Sequence, residues 1–565
     1  MRHIKSFLTI TLAFLLVGCM GPIAYTMPTP TPTLESNNTS LEDDIYIFFT
    51  SDVHCGVDEN LGFTGLKALV DDTRLAHPYV SLVDLGDYLQ GGTLGSLTKG
   101  KSIIEIMNEM NYDYVTIGNH EFDYTVEELD KRLHELNAQV ITTNVKYTGH
   151  KKNIFEEYPT YVIHEYGPVK VAFLGVLTPT SITSSTPKYF MEDGEIVYDF
   201  YSERSGDELA ERVQSIVDEA RSNGADYVVA LTHLGSTPHY TPYDSISLIH
   251  KTNGIDVVLD GHSHSVVIED HYPNKDGKDV ILSSVGTKMQ NAGELIIGKD
   301  GSLTTLLVSE FHHHDVDVES DILAKEDEQK PILEEKIGVA PFDFTIVDEE
   351  GHRIVRSRET NLADFVADAY RYVMDADIGM TNGGGVRTNL SQGDITFGDI
   401  LNVNPFQNTV GTCRATGQQI LDALEFGAKE TSGITVLDGN SVGEFGAFLQ
   451  VSGLKYTIDT SIPTGVVLDD SGMLKEIKGE RRVQDVQVLK DGQYVPLDPN
   501  EKYVVASISY LLFENGDGNT AFQGAEMIEQ GSQIDVNCLR DYLTQMNGIP
   551  DSYRNPLGEG RITVK

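Results

Sequence analysis

From residue 44 to about 310, short apolar runs alternate with amphipathic stretches, the pattern of a layered α/β sheet domain. The strand-like runs are Ile45 to Thr50, Tyr79 to Leu85, Tyr114 to Ile117, Val140 to Thr142, Val169 to Val176, Tyr227 to Leu231, Val257 to Leu259 and Val280 to Ser283. Most of them run straight into a polar cluster, and strand ends are where open α/β sheets carry their sites. Residues 311 to 344 are rich in Asp, Glu and Lys and have a weaker pattern, which predicts a bridging helix at an inter-domain boundary. A second α+β unit follows, with Lys502 to Ser507 as one strand and several Gly-rich loops. The expected organisation is a signal segment 1–19, a tether 20–42, a first domain 43–310, a linker helix 311–344 and a second domain 345–565.

The N-terminus breaks this pattern. Met1-Arg2-His3-Ile4-Lys5 is basic, an apolar run follows, and Leu16-Val17-Gly18-Cys19 closes it, which reads as a secretory signal too short to span a bilayer. Its ending resembles a bacterial lipobox, which implies lipidation of Cys19 and anchoring to the extracytoplasmic face of the cell membrane. The Pro/Thr-rich run Met27 to Thr33 then reads as an extended tether. With Cys19 set aside, Cys55, Cys413 and Cys538 are odd in number and widely spaced, so no disulfide framework is indicated.

Charge narrows the partners. With 42 Lys+Arg against 86 Asp+Glu, the net −44 repels phosphate polymers, which argues against DNA or RNA strands. A small anion remains compatible, because a bound metal or a local arginine group reverses the sign inside a cleft. No feature of the sequence predicts a protein partner.

Five clusters of one chemical type follow the apolar runs of the first domain: Asp52-Val53-His54, Asp84-Leu85-Gly86-Asp87, Gly118-Asn119-His120-Glu121-Phe122-Asp123, Leu231-Thr232-His233 and Gly261-His262-Ser263-His264. Singly each is a weak signal. Together they supply imidazoles and carboxylates at one sheet edge, a donor set that suits Zn, Mn, Fe or Co rather than Ca or Mg. The alternation of Asp52 and His54 about Val53 would point both side chains at one metal and turn Cys55 away.

These motifs, in this order, resemble the calcineurin-like metallophosphoesterases, and more narrowly the 5′-nucleotidase/UDP-sugar hydrolase branch in a bacterial lipoprotein form. The resemblance covers residues 44 to about 540. It implies a four-layer α/β/β/α metallophosphoesterase domain followed by an α+β 5′-nucleotidase C-terminal domain. It implies two divalent metal ions, one on Asp52, His54, Asp87 and His264, the other on Asp87, Asn119, His233 and His262, with Asp87 bridging. Two such cations acidify a water and neutralise the phosphoryl group it attacks. His120 would donate to the developing charge, with Asp123 fixing its tautomer, and Asp84 is a structural carboxylate that orients the loop.

In the second domain, Asn382-Gly383-Gly384-Gly385-Val386-Arg387 suits a tight loop that meets an anion. The resemblance implies substrate binding by Arg356 or Arg358, Asn382, Arg387, Phe406 and Asp517, with two Phe rings sandwiching a nucleobase. This chain departs from that pattern: the second ring position is Leu511, with Tyr510 and Phe513 beside it, and Asn515 replaces a Gly. The reading is therefore an exported hydrolase of 5′-nucleotides or UDP-sugars. A 2′,3′-cyclic-nucleotide phosphodiesterase, a phosphatase for another small organic phosphate, and a surface-binding lipoprotein with an inactive hydrolase fold stand as alternatives.

Overall fold

A computed structural model describes residues 41–565 apart from 438–439, 470 and 547. The signal segment, Cys19 and nearly all of the tether lie outside the described residues.

The first domain is built on two six-stranded sheets. One runs in the order Leu303–Val308, Ala292–Ile297, Ile45–Thr50, Val80–Asp84, Tyr114–Val115, Gln139–Val140, with the last four parallel. The other runs Val266–Pro273, Asp279–Val285, Val257–Asp260, Tyr227–His233, Val169–Leu177, Tyr161–Tyr166, with its middle four parallel. Alternate residues of each strand point to opposite faces. Ile45, Ile47, Phe49 and Val83 therefore meet Val171, Phe173, Val229 and Leu259 in the layer between the sheets. Phe48 and Leu82 face the other way, into a cluster shared with the helices Gly62–Ala76 and Lys101–Met110. Ala172, Leu174 and Val228 pack with Asp207–Ser222 and Ser245–Lys251. Both faces of both sheets are covered, which gives the α/β/β/α sandwich and explains why the inner strands read as continuous apolar runs.

The parallel strands of both sheets end on the same rim. Thr50 is paired with Asp84 and Asp84 with Val115, so the polar segments after these strands start side by side; across the sandwich Thr232 is paired with Asp260.

The helix Val316–Leu333 crosses between the domains, capped by the Asp315 carboxylate, which accepts the N–H of Asp317 at 3.1 Å and of Val318 at 2.9 Å. It packs on the helices Gly62–Ala76 and Lys101–Met110 and, at its other end, on Phe397–Val403. The linker ends earlier than its composition suggests. Lys336–Ala340 is a strand paired with Gly393–Thr396, so these residues belong to the second domain; at five residues the alternation is too short to stand out beside a charged helix. The second domain holds a five-stranded sheet in the order Leu449–Ser452, Ile378–Asn382, Lys502–Ile508, Thr409–Thr416, Glu526–Ile534, and a four-stranded sheet formed by Gln493–Pro496, Val483–Lys490, Leu454–Ile458 and Ile562–Val564. Its Asn382 ends a strand and opens the turn Gly383–Gly385, which places that turn at the inter-domain cleft.

Candidate metal centre and substrate cleft

The strand Ile45–Thr50 stops before the first cluster, and the backbone then turns left-handed. Asp52, His54 and Cys55 have φ of 52°, 47° and 61°. The expected strand alternation about Val53 is thus not what joins Asp52 to His54; two left-handed residues do. Asp87, His262 and His264 share this conformation, with φ of 62°, 75° and 53°. It costs a non-glycine residue about 1–2 kcal/mol, and strain of this kind concentrates at functional sites.

The turns gather the side chains into overlapping groups: Asp52 with His54 and His264, Asp87 with His233 and His262, and His54 with Asp87 and His120. His233 Nε2 lies 3.0 Å from Asp87 Oδ2 and 3.9 Å from Asp52 Oδ1, and His264 Nε2 lies 3.5 Å from Asp52 Oδ1. His54 Nδ1 is 2.9 Å from the Gln90 carbonyl and His233 Nδ1 is 2.9 Å from that of Leu85. A carbonyl accepts only, so each Nδ1 carries the proton and each Nε2 is free to ligate. Asn119 Oδ1 is buried with no hydrogen-bond partner among the described residues. Gly118 and Gly261 keep the space open: a Cβ on Gly118 would lie 2.1 Å from Asp87 Oδ1, and one on Gly261 would lie 3.0 Å from both Asp52 Oδ2 and His233 Nδ1. An orphaned amide oxygen, imidazoles whose Nε2 faces carboxylates, and glycine clearances together fit divalent cations. His264 is the most open of these groups, its side chain 39% exposed.

Charge in the metal-free cluster is settled by protons. Burial raises the Asp52 carboxyl to about 7. Burial works against an imidazolium at His233, yet the Asp87 and Asp52 carboxylates outweigh it and raise its pKa to about 10. Burial holds His54 and His262 well below the ordinary histidine range, ready to ligate.

Around this core sit groups that orient it. His120 Nδ1 is 2.6 Å from Asp123 Oδ2, and the His120 N–H donates to Asp87 Oδ1 at 2.8 Å. Burial opposes charge on His120, but Asp123 and Asp87 prevail and raise its pKa. Asp84 accepts from Gly86 N–H at 2.8 Å and Thr50 Oγ1 at 2.6 Å, which ties the loop to its strand. Cys55 is buried, its thiol directed at the Leu89 carbonyl at 3.2 Å and raised to about 12 by burial, so it does not compete for metal. Glu121 has a role that motif reading alone misses. Its fully buried carboxylate accepts the N–H groups of Asp87, Tyr88, Leu89 and Gly118 at 2.8, 2.8, 3.1 and 2.6 Å, so it braces the loop of the shared carboxylate. The acid in Gly118-Asn119-His120-Glu121 was the available signal. Tyr240, with its ring 4.6 Å from that of His262, left none.

Across a cleft of about 940 Å³, Asp87, Asn119, His120 and Asp123 face Arg356, Asn382, Arg387, Phe406 and Asp517. Burial, together with Arg353 and Arg387, lowers Arg356 to about 9; burial, with Arg353, lowers Arg387 to about 10. Arg356 Nε is buried without a partner among the described residues. Arg358 differs: its guanidinium donates to the Ser357 and Ser432 carbonyls, both at 2.7 Å, and it does not line the cleft. Asn382 Nδ2 donates to Asp517 Oδ2 at 3.1 Å, and Asn515 takes the left-handed turn, φ 58°, that its replacement of Gly requires. Phe406 lies 6.2 Å from the His120 ring. Leu511 is buried in the second-domain core, whereas Tyr510 lines the cleft and its hydroxyl accepts the Asp517 N–H at 2.8 Å. Phe513 packs over Gly411 instead.

Two outcomes follow for metal binding. Glu121→Gln exchanges an acceptor for an amide donor facing N–H groups, and metal affinity should fall about 10–100-fold, read as retained metal after dialysis against a graded chelator; retention equal to wild type would refute the brace. Loading Zn²⁺ at pH 7 must displace protons from His233 and Asp52, so affinity should rise with pH through neutrality. Calorimetry in buffers of different ionisation enthalpy should show proton release, and buffer-independent heats would contradict it.

Residues 45–266 match the family described as calcineurin-like phosphoesterase, and residues 337–524 match the 5′-nucleotidase C-terminal domain. The chain is 26% identical over 564 residues to the trifunctional nucleotide phosphoesterase protein YfkN of Bacillus subtilis, covering 92% of this chain but only 35% of that protein. It is 25% identical over 573 residues to a 5′-nucleotidase of Bos taurus, covering 92% and 90% of the two chains. Its fold is similar to that of a 5′-nucleotidase precursor from Thermus thermophilus, with a TM-score of 0.73 and 24% identity over 92% of this chain and 99% of the other. The two family matches fall on the metal-bearing domain and on the domain that closes the cleft, and the chain belongs to the 5′-nucleotidase family of calcineurin-like phosphoesterases, which are metal-dependent phosphoric ester hydrolases.

Proposed function

We propose that this chain is an exported 5′-nucleotidase that releases phosphate from nucleoside 5′-phosphates, with UDP-sugars and other nucleoside phosphates as further substrates, and that a lipid on Cys19 holds it at the extracytoplasmic face of the membrane. The observation that carries the reading is the pair Arg356 and Arg387, desolvated and crowded by a third arginine, facing the Asp/His cluster across the cleft. In a chain of net charge −44, such a pair is held ready for an anion.

Two divalent cations of the Zn, Mn, Co or Fe class, held by Asp52, His54, Asp87, Asn119, His233, His262 and His264, would lower the pKa of a water and neutralise phosphoryl oxygens. Arg356 and Arg387 bind the phosphoryl oxygens from the opposite wall. His120, with its Nδ1 proton fixed on Asp123, presents Nε2 to the cleft and donates a proton to the phosphoryl or leaving oxygen. Asp517, steadied by Asn382, accepts the sugar hydroxyls. Phe406 is one wall for the base, and Tyr510, not Leu511, supplies the aromatic surface on the side of Asp517. The relatives agree in kind: their names include 5′-nucleotidase, apyrase and nucleotide phosphoesterase, and one, from Listeria monocytogenes, is named a cell wall protein.

The displacement of Leu511 into the core favours one second reading, a phosphatase for another small organic phosphate. A panel of nucleoside mono-, di- and triphosphates, 2′,3′-cyclic nucleotides, UDP-glucose and p-nitrophenyl phosphate separates the two. Chelator-sensitive turnover is expected to be best on a 5′-nucleotide. Base stacking is worth about 1–3 kcal/mol, so Phe406→Ala should raise the nucleotide KM about 5- to 150-fold and leave p-nitrophenyl phosphate unaffected. Equal effects on both, or none on either, would favour the second reading. Asp87→Asn should abolish turnover on every substrate.

A further inference from the structure

Away from the cleft, a second kind of imidazole and carboxylate cluster forms at the root of the bridging helix. The loop leaving the strand Leu303–Val308 carries Phe311, His312, His313 and His314 before the helix Val316–Leu333 begins. Ligand atoms of His312 and His313 and of Asp72, which lies on the helix Gly62–Ala76, are all within 4.8 Å of one another. His313 Nε2 is 3.6 Å from Asp72 Oδ2. Two donors at about 2.0–2.2 Å from a tetrahedral Zn²⁺ are separated by about 3.3–3.6 Å, so this pair already stands at ligand spacing.

The surroundings hold the donors in place. Phe311, packed on the first-domain core, backs both rings, with centroids 4.3 Å from His312 and 5.1 Å from His313. On the far side, His314 Nδ1 pairs with Thr64 Oγ1 at 2.8 Å, and Asp315 N–H donates to the Thr64 carbonyl at 3.0 Å. A comparable exposed group, Asp130 with His134 and Glu157, shows what an already satisfied cluster looks like: Lys152 Nζ sits 2.9 Å from both Asp130 oxygens and 3.9 Å from Glu157. At Asp72 the ion-pair partner is the His313 ring itself.

We propose that Asp72, His312 and His313 form a third metal site, independent of the cleft, for a borderline divalent cation of the Zn²⁺ class. Imidazole and carboxylate donors select that class, and the strongly acidic chain draws cations to its surface. The bound ion cross-links the helix Gly62–Ala76 to the loop that feeds the bridging helix. That helix is further fixed to the first domain by Lys325 Nζ on Glu105 Oε2 at 2.6 Å and Gln329 Nε2 on the Leu94 carbonyl at 3.2 Å. The ion therefore acts as a staple on the connection between the domains. It is exposed and leaves its fourth position to water, so it binds more weakly than the ions of the buried cluster.

Holoenzyme with its cleft metals in place is titrated with Zn²⁺ while bound zinc and proteolytic cleavage of the 309–315 loop are followed. Wild type should take up one additional Zn²⁺ per chain and become protected from cleavage. His312→Ala/His313→Ala should lose that ion and the protection, and Asp72→Asn should bind it at least tenfold more weakly, both with cleft turnover unchanged. The exposure of all three residues keeps the variants folded, and turnover verifies it. Uptake of no additional zinc by wild type, or equal uptake by wild type and the double variant, would overturn the site.

Discussion

The carboxylates of Asp52 and Asp87 share one buried space with the Nε2 atoms of His54, His233 and His264, at separations between 3.0 and 3.9 Å. Two anions cannot stay together in a low-dielectric pocket unless protons or cations stand between them. The architecture of the first domain serves that demand. Parallel strands of two sheets end on one rim, and five of the seven residues expected to ligate metal turn out of or into their strands through a left-handed conformation. At about 1–2 kcal/mol each, this strain is countered at Asp87 by the brace of Glu121, and cations held by the cluster would offset the rest. The glycines of the Gly118-Asn119-His120 and Gly261-His262 motifs belong to the same design, since a Cβ at Gly118 would come between Asp87 Oδ1 and His233 Nε2, at 2.1 and 2.7 Å, and one at Gly261 would lie 2.3 Å from Ser51 Oγ and 3.0 Å from Asp52 Oδ2.

The opposite wall answers with the other sign. Arg356 and Arg387 are both held below the ordinary arginine range by burial and by Arg353, and each gains from the arrival of an anion more than a solvated arginine would. The cleft joins two half-sites held together at both ends. Ser96 Oγ of the metal domain donates to the Pro405 carbonyl at 2.9 Å beside Phe406, and Arg204 reaches the carbonyls of Leu468 and Asp469. The position of Phe406 over His120 thus depends on contacts made by both domains.

Much of this was legible in the sequence, because strand-end clusters are local. An apolar run ending in Asp-x-His or Gly-His-x-His is a local signal, and the inner strands read as apolar runs, whereas their division into two sheets is implied only by the family resemblance. What escaped was whatever depends on backbone sign or on which face a side chain takes. The left-handed turns at Asp52 and His54 look like strand continuation in one dimension. Leu511 and Tyr510 are adjacent, and only the short helix Ser509–Leu512 decides that the leucine goes to the core and the tyrosine to the cleft. Arg356 and Arg358 are likewise two residues apart, and the pull of the Ser432 carbonyl on the second separates them. The strand Tyr114–Val115 is shorter than its apolar run, since the chain leaves the ladder early to deliver Asn119 and His120 to the rim.

The most direct test of a shared carboxylate between two cations is anomalous diffraction at the metal edge from crystals of the loaded protein. The expected result is two adjacent peaks flanking Asp87, one toward Asp52, His54 and His264 and the other toward Asn119, His233 and His262. A single peak, or none, among these residues in active protein would contradict it.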